Sequence, residues 1–122
     1  MKILLAEDEP ILAELYQFLL ERAGFEVDCQ RDGADVLKSI SDQKYQLILL
    51  DYMMPKLNGH QVLARLSKQR SVDLSKVVLL TNIVEKKVFN QLSCYHLRGT
   101  MIKSEFNPSQ FVAAVKKFAS IS

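Results

Sequence analysis

Hydrophobic positions in this chain follow two patterns that take turns. Short apolar runs recur, each closed by a polar group. Ile3-Leu4-Leu5-Ala6 runs into Glu7-Asp8-Glu9, and Gln46-Leu47-Ile48-Leu49-Leu50, led by Tyr45, runs into Asp51. Val77-Val78-Leu79-Leu80 runs into Thr81, and Thr100-Met101-Ile102 runs into Lys103. Such runs, bounded by turn signals, read as buried strands. Between them apolar residues return at three- and four-residue spacing, the mark of a helix face. Pro10 suits the first turn of the first such helix, which carries Ile11, Leu12, Leu15, Phe18 and Leu19; Gly24 ends it as the C′ residue. Phe25-Glu26-Val27-Asp28-Cys29 alternates, as a half-exposed strand at or near a sheet edge does. Arg31-Asp32-Gly33 turns the chain into a second helix bearing Val36, Leu37 and Ile40. A third, after Pro55 and Gly59, bears Val62, Leu63 and Leu66, and a fourth spans 84–94. Asn107-Pro108 caps and starts the last, with Phe111, Val112, Val115 and Phe118.

Strand and helix thus alternate five times, which implies an α/β fold with a parallel sheet, right-handed crossovers and helices on both faces. The expected architecture is a doubly wound five-stranded parallel sheet of order 2-1-3-4-5, with the first and third strands adjacent at the switch point. Polar reactive groups then collect at the carboxyl ends of the strands, where open α/β sheets place their sites. Glu7, Asp8 and Asp51 crowd one crevice, with Thr81 and Lys103 on its other wall.

Composition narrows the picture. The 122 residues fit one domain, 1–122, and 48% apolar with 25% charged residues is ordinary globular usage. A net charge of +2, with basic residues scattered, argues against nucleic acid as a direct ligand. The apolar stretches, about five residues at most, are far short of a membrane span. Met1-Lys2-Ile3 enters a strand directly and leaves no room for a signal peptide. Cys29 and Cys94 have neither CxxC nor metal-site spacing, so two reduced thiols in a cytoplasmic protein are expected.

A carboxylate at the exit of a buried strand is costly unless a cation or chemistry needs it there. Crowded carboxylates also repel one another unless a cation is present. Oxygen donors without His or Cys suit Mg²⁺, or Mn²⁺, rather than zinc. An aspartate on such a metal, beside an ammonium and a hydroxyl, is poised to attack phosphorus and become an aspartyl phosphate. Each residue alone has a plainer reading: Lys103 as a surface cation, Thr81 as a strand-end hydroxyl, the acidic trio as a solvated turn. Glu9 reads as a charge suited to the helix dipole, His96 as a surface residue, and Met53 and Met54 as loop packing.

Taken together, the acidic pair Glu7-Asp8, the stretch LILLDYMMPKLNG with Asp51, Pro55 and Gly59, VVLLTN with Thr81 and GTMIKS with Lys103 are specific. The chain resembles, over essentially its whole length, the receiver domain of two-component response regulators, of the chemotaxis-regulator type and with a flavodoxin-like receiver fold. The resemblance implies a signalling phosphoacceptor rather than an enzyme in the usual sense. Asp51 would take a phosphoryl group from a histidine kinase or histidine phosphotransfer protein and so switch an output surface. Asp8, Asp51 and the backbone carbonyl of Met53 would ligate Mg²⁺, with Glu7 acting through water. Thr81 would be the switch hydroxyl and Lys103 the partner of the phosphoryl group. The kinase would dock near the first helix and the loop at 104–107; the output partner is unassigned, and a homodimer is compatible with the reading. Both a single-domain regulator and a receiver within a longer one fit.

Four positions depart from the family. Thr100 stands where an aromatic is usual, which leaves Tyr95 or His96 to carry any output through the fourth helix and fifth strand. Ser104 replaces a proline preceded by a cis bond; cis before a non-proline costs about 2.5–4 kcal/mol, so trans is expected. Asn82, larger than the usual residue after the switch hydroxyl, would partly screen the phosphoryl group. His96 replaces a common glycine, so the fourth helix would end differently. Apolar Met53 and Ile83 flank the path of a hydrolytic water and imply slow self-dephosphorylation.

Other functions with this architecture fare worse. An FMN protein needs a hydroxyl- and glycine-rich phosphate loop where Glu7-Asp8-Glu9 stands, and a dinucleotide enzyme needs a GxGxxG that is missing. An aspartyl-intermediate phosphatase wants an acid where Met53 lies. The serious rival is a pseudo-receiver, a protein-binding module that signals without phosphate.

Overall fold

The structure is a computed structural model and describes residues 1–69, 72–83 and 85–120. Five strands alternate with five helices among these residues: β1 (Lys2–Ala6), α1 (Pro10–Arg22), β2 (Glu26–Gln30), α2 (Gly33–Asp42), β3 (Leu47–Asp51), α3 (Gly59–Leu66), β4 (Val77–Thr81), α4 (Lys86–Leu92), β5 (Gly99–Ile102) and α5 (Pro108–Ala119). The sheet is parallel throughout and its order is 2-1-3-4-5, as the alternation of elements implies. Val84, where the fourth helix is expected to begin, lies outside the described residues.

The apolar runs give β1, β3 and β4 two buried faces, as parallel sheets require. Successive residues point to opposite sides. Leu4, Ala6, Ile48, Leu50, Val77 and Leu79 therefore pack under α2, α3 and α4, with Val36, Val62, Leu63, Leu66 and Val88. Ile3, Leu5, Leu47, Leu49, Val78 and Leu80 pack on the other side under α1 and α5, with Tyr16, Leu20, Phe111 and Val115. The Tyr16 and Phe111 rings meet there at 4.2 Å.

Helix ends follow the sequence signals. Asp32, Asn58 and Asn107 cap α2, α3 and α5 through their side chains, the last two in full capping boxes, and Pro10 and Pro108 open α1 and α5. Gly24 sits at φ +99° just past α1, a conformation that L side chains rarely adopt.

One face is not where the spacing puts it. In α1, Ala13, Tyr16 and Leu20 are buried, whereas Ile11, Leu15 and Phe18 are 77%, 39% and 56% exposed. The helix is real, but three of its five spaced apolar residues face away from the core.

Candidate functional site

Asp51 is the last residue of β3, and its register partner on β4 is Leu80, one residue before Thr81. Thr81 in turn pairs with Ile102, one residue before Lys103. Ala6 pairs with Leu50, so the chain after β1 begins with Glu7 beside the end of β3. Parallel register alone thus brings the four strand exits to one pole of the sheet. Glu7, Asp51 and Thr81 are the buried polar residues among those described.

Carboxylate oxygens of Glu7, Asp8 and Asp51 all lie within 4.8 Å of one another, with Asp8 the more open to solvent. Lys103 reaches into the cluster from the far side: its Nζ lies 2.5 Å from Glu7 Oε1 and 2.9 Å from Asp51 Oδ2. Asp51 Oδ1 accepts from the Met53 backbone N–H at 3.2 Å, which folds the loop after β3 over the carboxylate. Glu7 Oε2 accepts from the Glu9 N–H at 3.3 Å.

The electrostatics follow from this crowding. Burial, and then the hydrogen bond and charge of Asp51, push the Glu7 carboxyl above its usual range, and Lys103 only partly offsets them. Burial disfavours the Lys103 ammonium, yet its bonds to Glu7 and Asp51 outweigh that and raise its pKa above the ordinary lysine value. One ammonium therefore stands against three carboxylates. Glu7 Oε1 is wholly buried and, beyond that ion pair, makes no hydrogen bond among the described residues.

The remaining residues singled out in the sequence fall as follows. Thr81 Oγ1 accepts from the Ile83 N–H at 3.0 Å, fixing the start of the loop after β4. No peptide bond among the described residues is cis, so Lys103–Ser104 is trans as expected. Asn82 is exposed, and its Oδ1 accepts from the Ser104 N–H at 2.9 Å. Thr100 and His96 are exposed, and the half-buried Tyr95 ring sits edge-on to His60 at 6.1 Å. Met53 is 60% exposed. Cys29 and Cys94 are free. No helix among the described residues is long and apolar enough to cross a membrane.

Sequence reasoning missed three features: the 3-10 turn at Lys103–Glu105 that launches the lysine, the Asn82–Ser104 bond, and a groove of about 250 Å³. That groove runs between α1 and the turn after β5, past Leu15, Leu19, Phe106 and Lys103.

Comparison with known proteins agrees with the geometry. The family model of the response regulator receiver domain matches residues 3–116. The transcriptional regulatory protein CpxR homolog of Haemophilus influenzae is 30% identical over 115 residues, which are 94% of this chain and 48% of that protein. The alkaline phosphatase synthesis transcriptional regulatory protein PhoP of Bacillus subtilis is 42% identical over 69 residues, 57% of this chain and 29% of its own length. The chain thus spans about half or less of these relatives. Among solved structures, the response regulator TrrA of Thermotoga maritima in complex with Mg²⁺ and BeF superposes with a TM-score of 0.80 at 29% identity, covering 96% of this chain and 97% of that one. Chemotaxis protein CheY4 of Vibrio cholerae shares the fold, with a TM-score of 0.85 at 20% identity and coverage of 96% and 97%. With five strands in the order 2-1-3-4-5 and a family match over residues 3–116, the chain belongs to the response regulator receiver domains.

Proposed function

We propose that this receiver, spanning 1–122, is a phosphoacceptor that takes a phosphoryl group on Asp51 in a Mg²⁺-dependent step and signals through the altered surface. The observation that carries this reading is the buried Asp51 carboxylate held between one ammonium and two further carboxylates. A structural ion pair needs one acid for Lys103, not three. The surplus negative charge, all of it on oxygen, fits a hard divalent cation, Mg²⁺ or Mn²⁺, since one Lys103 ammonium serves both Glu7 and Asp51 and leaves Asp8 without it. Asp8, Asp51 and the Met53 carbonyl would hold the ion directly, with Glu7 acting through water. When bound, it would supply charge neutralisation for the incoming phosphoryl oxygens.

The chain's own groups account for the rest. An Asp51 oxygen attacks phosphorus as the bond to the donor's histidine nitrogen breaks and the electron pair leaves with the imidazole. Lys103 moves its ammonium from the free carboxylate to a phosphoryl oxygen, which keeps it paired. Thr81 exchanges its bond with the Ile83 N–H for donation to another phosphoryl oxygen, and that exchange pulls on the loop after β4. A histidine kinase or histidine phosphotransfer protein is the expected donor, docking on the exposed stripe of α1 and the turn after β5. The expected setting is the cytoplasm, where such donors present their phosphohistidine.

Intact mass after incubation with acetyl phosphate tests the reading. One added phosphoryl group, dependent on Mg²⁺ and absent in Asp51→Asn, is expected. No adduct on a folded protein would favour the pseudo-receiver, a binding module that works without phosphate.

A further inference from the structure

Lys103 lies beyond the sheet. β5 ends at Ile102, and Lys103 begins a 3-10 turn that has no side-chain cap of its own. A lysine stem has four rotatable carbons, so the ammonium is well aimed only if the backbone it springs from is fixed. The backbone next to it is tied across to the neighbouring loop, where the Ser104 N–H donates to Asn82 Oδ1 at 2.9 Å. Asn82 is itself well anchored. It follows the buried Thr81 at the end of β4 and precedes Ile83, whose N–H is bonded to the Thr81 hydroxyl at 3.0 Å. The two partners are matched: residue 104 has an N–H to give because it is not proline, and residue 82 has an acceptor of the right reach.

We infer that Asn82 is a positioning residue for Lys103, its side-chain carbonyl clasping the Ser104 amide and fixing the turn from which the ammonium reaches Glu7 and Asp51. The value of that aim for phosphoryl uptake rests on the function proposed above, whereas the clasp is a property of the unmodified protein. It also joins the loop that follows Thr81 to one wall of the groove beside α1, since Asn82, Lys103 and Ser104 all line that groove.

The test is amide hydrogen exchange at Ser104, together with the ¹⁵Nζ resonance of Lys103, in the unmodified wild type, Asn82→Ala and Asn82→Asp. Aspartate keeps an acceptor oxygen in the same place. The Ser104 amide is expected to exchange about tenfold faster in Asn82→Ala, the scale of one hydrogen bond, and to be protected again in Asn82→Asp. The Lys103 signal is expected to shift or broaden in Asn82→Ala and to return with the aspartate. Equal exchange at Ser104 in wild type and Asn82→Ala would overturn the inference, and so would a freed amide with an unmoved Lys103 signal. Because every readout is taken without phosphate, a protein that forms no adduct at Asp51 would sink the phosphoacceptor reading and leave the clasp to stand or fall on its own.

Discussion

Gly59 opens α3 against the exit of β3, with its N–H donating to the Tyr52 carbonyl at 2.7 Å. A methyl group there would sit 2.8 Å from the Asp51 carbonyl oxygen and 2.9 Å from the Tyr52 Cα, and backbone atoms cannot swing aside as a flexible side chain can. Gly59→Ala is therefore expected to cost about 1–3 kcal/mol by urea unfolding. It should also slow phosphoryl uptake, because the same shift moves the loop that covers Asp51. At this scale the sequence was highly readable where an apolar run stops abruptly on a polar residue, which is why Asp51, Thr81 and Lys103 stand out. Glu7, Asp8 and Glu9 were less so. Three adjacent acids look alike in one dimension, and it is the fold that shows Glu7 as the one wholly buried and paired with Lys103, a residue almost a hundred positions away. Lys56 at φ +67°, with its Nζ 3.4 Å from Asp32, gave no signal at all.

Boundaries were legible where caps and prolines mark them, as at α2, α3 and α5, but not at α4, which has no side-chain cap and ends at Leu92 and not at 94. The order of the sheet was legible from the alternation of strands and helices. The orientation of α1 was not. Its core face uses small Ala13 and amphipathic Tyr16, which score weakly as apolar, while Ile11 and Phe18 score strongly and stand in water. Hydrophobicity reports a preference for contact and does not say with what. If that stripe is where the phosphodonor protein docks, Ile11→Asp and Phe18→Asp should slow transfer from a phosphohistidine protein by tenfold or more, roughly the weight of one buried aromatic anchor. Uptake from acetyl phosphate should not change, and stability should stay within about 0.5 kcal/mol, as for most surface substitutions. Equal losses with both donors would place the effect at Asp51 instead of at the docking face. The 3-10 turn that carries Lys103 escaped the sequence because three residues are too few to show a period.

The whole molecule has two poles. Chemistry gathers at the carboxyl ends of the strands, and the amino ends are stapled. The Tyr45 hydroxyl donates to Asp28 Oδ2 at 2.7 Å, and Lys2 lies 3.5 Å from the same oxygen, so the approaches to β1, β2 and β3 are held together away from the site. Burial, and then the bond to Asp28, push the Tyr45 phenol up to about 12. A phenol whose folded pKa is raised favours its protonated form in the folded state. Its contribution is thus fully present below the unfolded value of 10.0 and is lost as pH rises towards 12. Tyr45→Phe is expected to cost about 1 kcal/mol at neutral pH. The gap between wild type and variant, followed by urea unfolding, should narrow between those two pH values; a constant gap would mean that the hydroxyl is not held as described. The strand order has a further consequence, for synthesis. A chain leaving the ribosome can assemble β2, β1 and β3 as a half-sheet, and its open edge is then Leu47–Asp51, a strand wholly buried in the finished protein. Until Val77–Thr81 is made, that edge offers unpaired amides and bare leucines to any strand nearby. The arrangement that gathers the acids also makes the pause between these two strands the moment when the newborn chain is most exposed to pairing with the wrong neighbour.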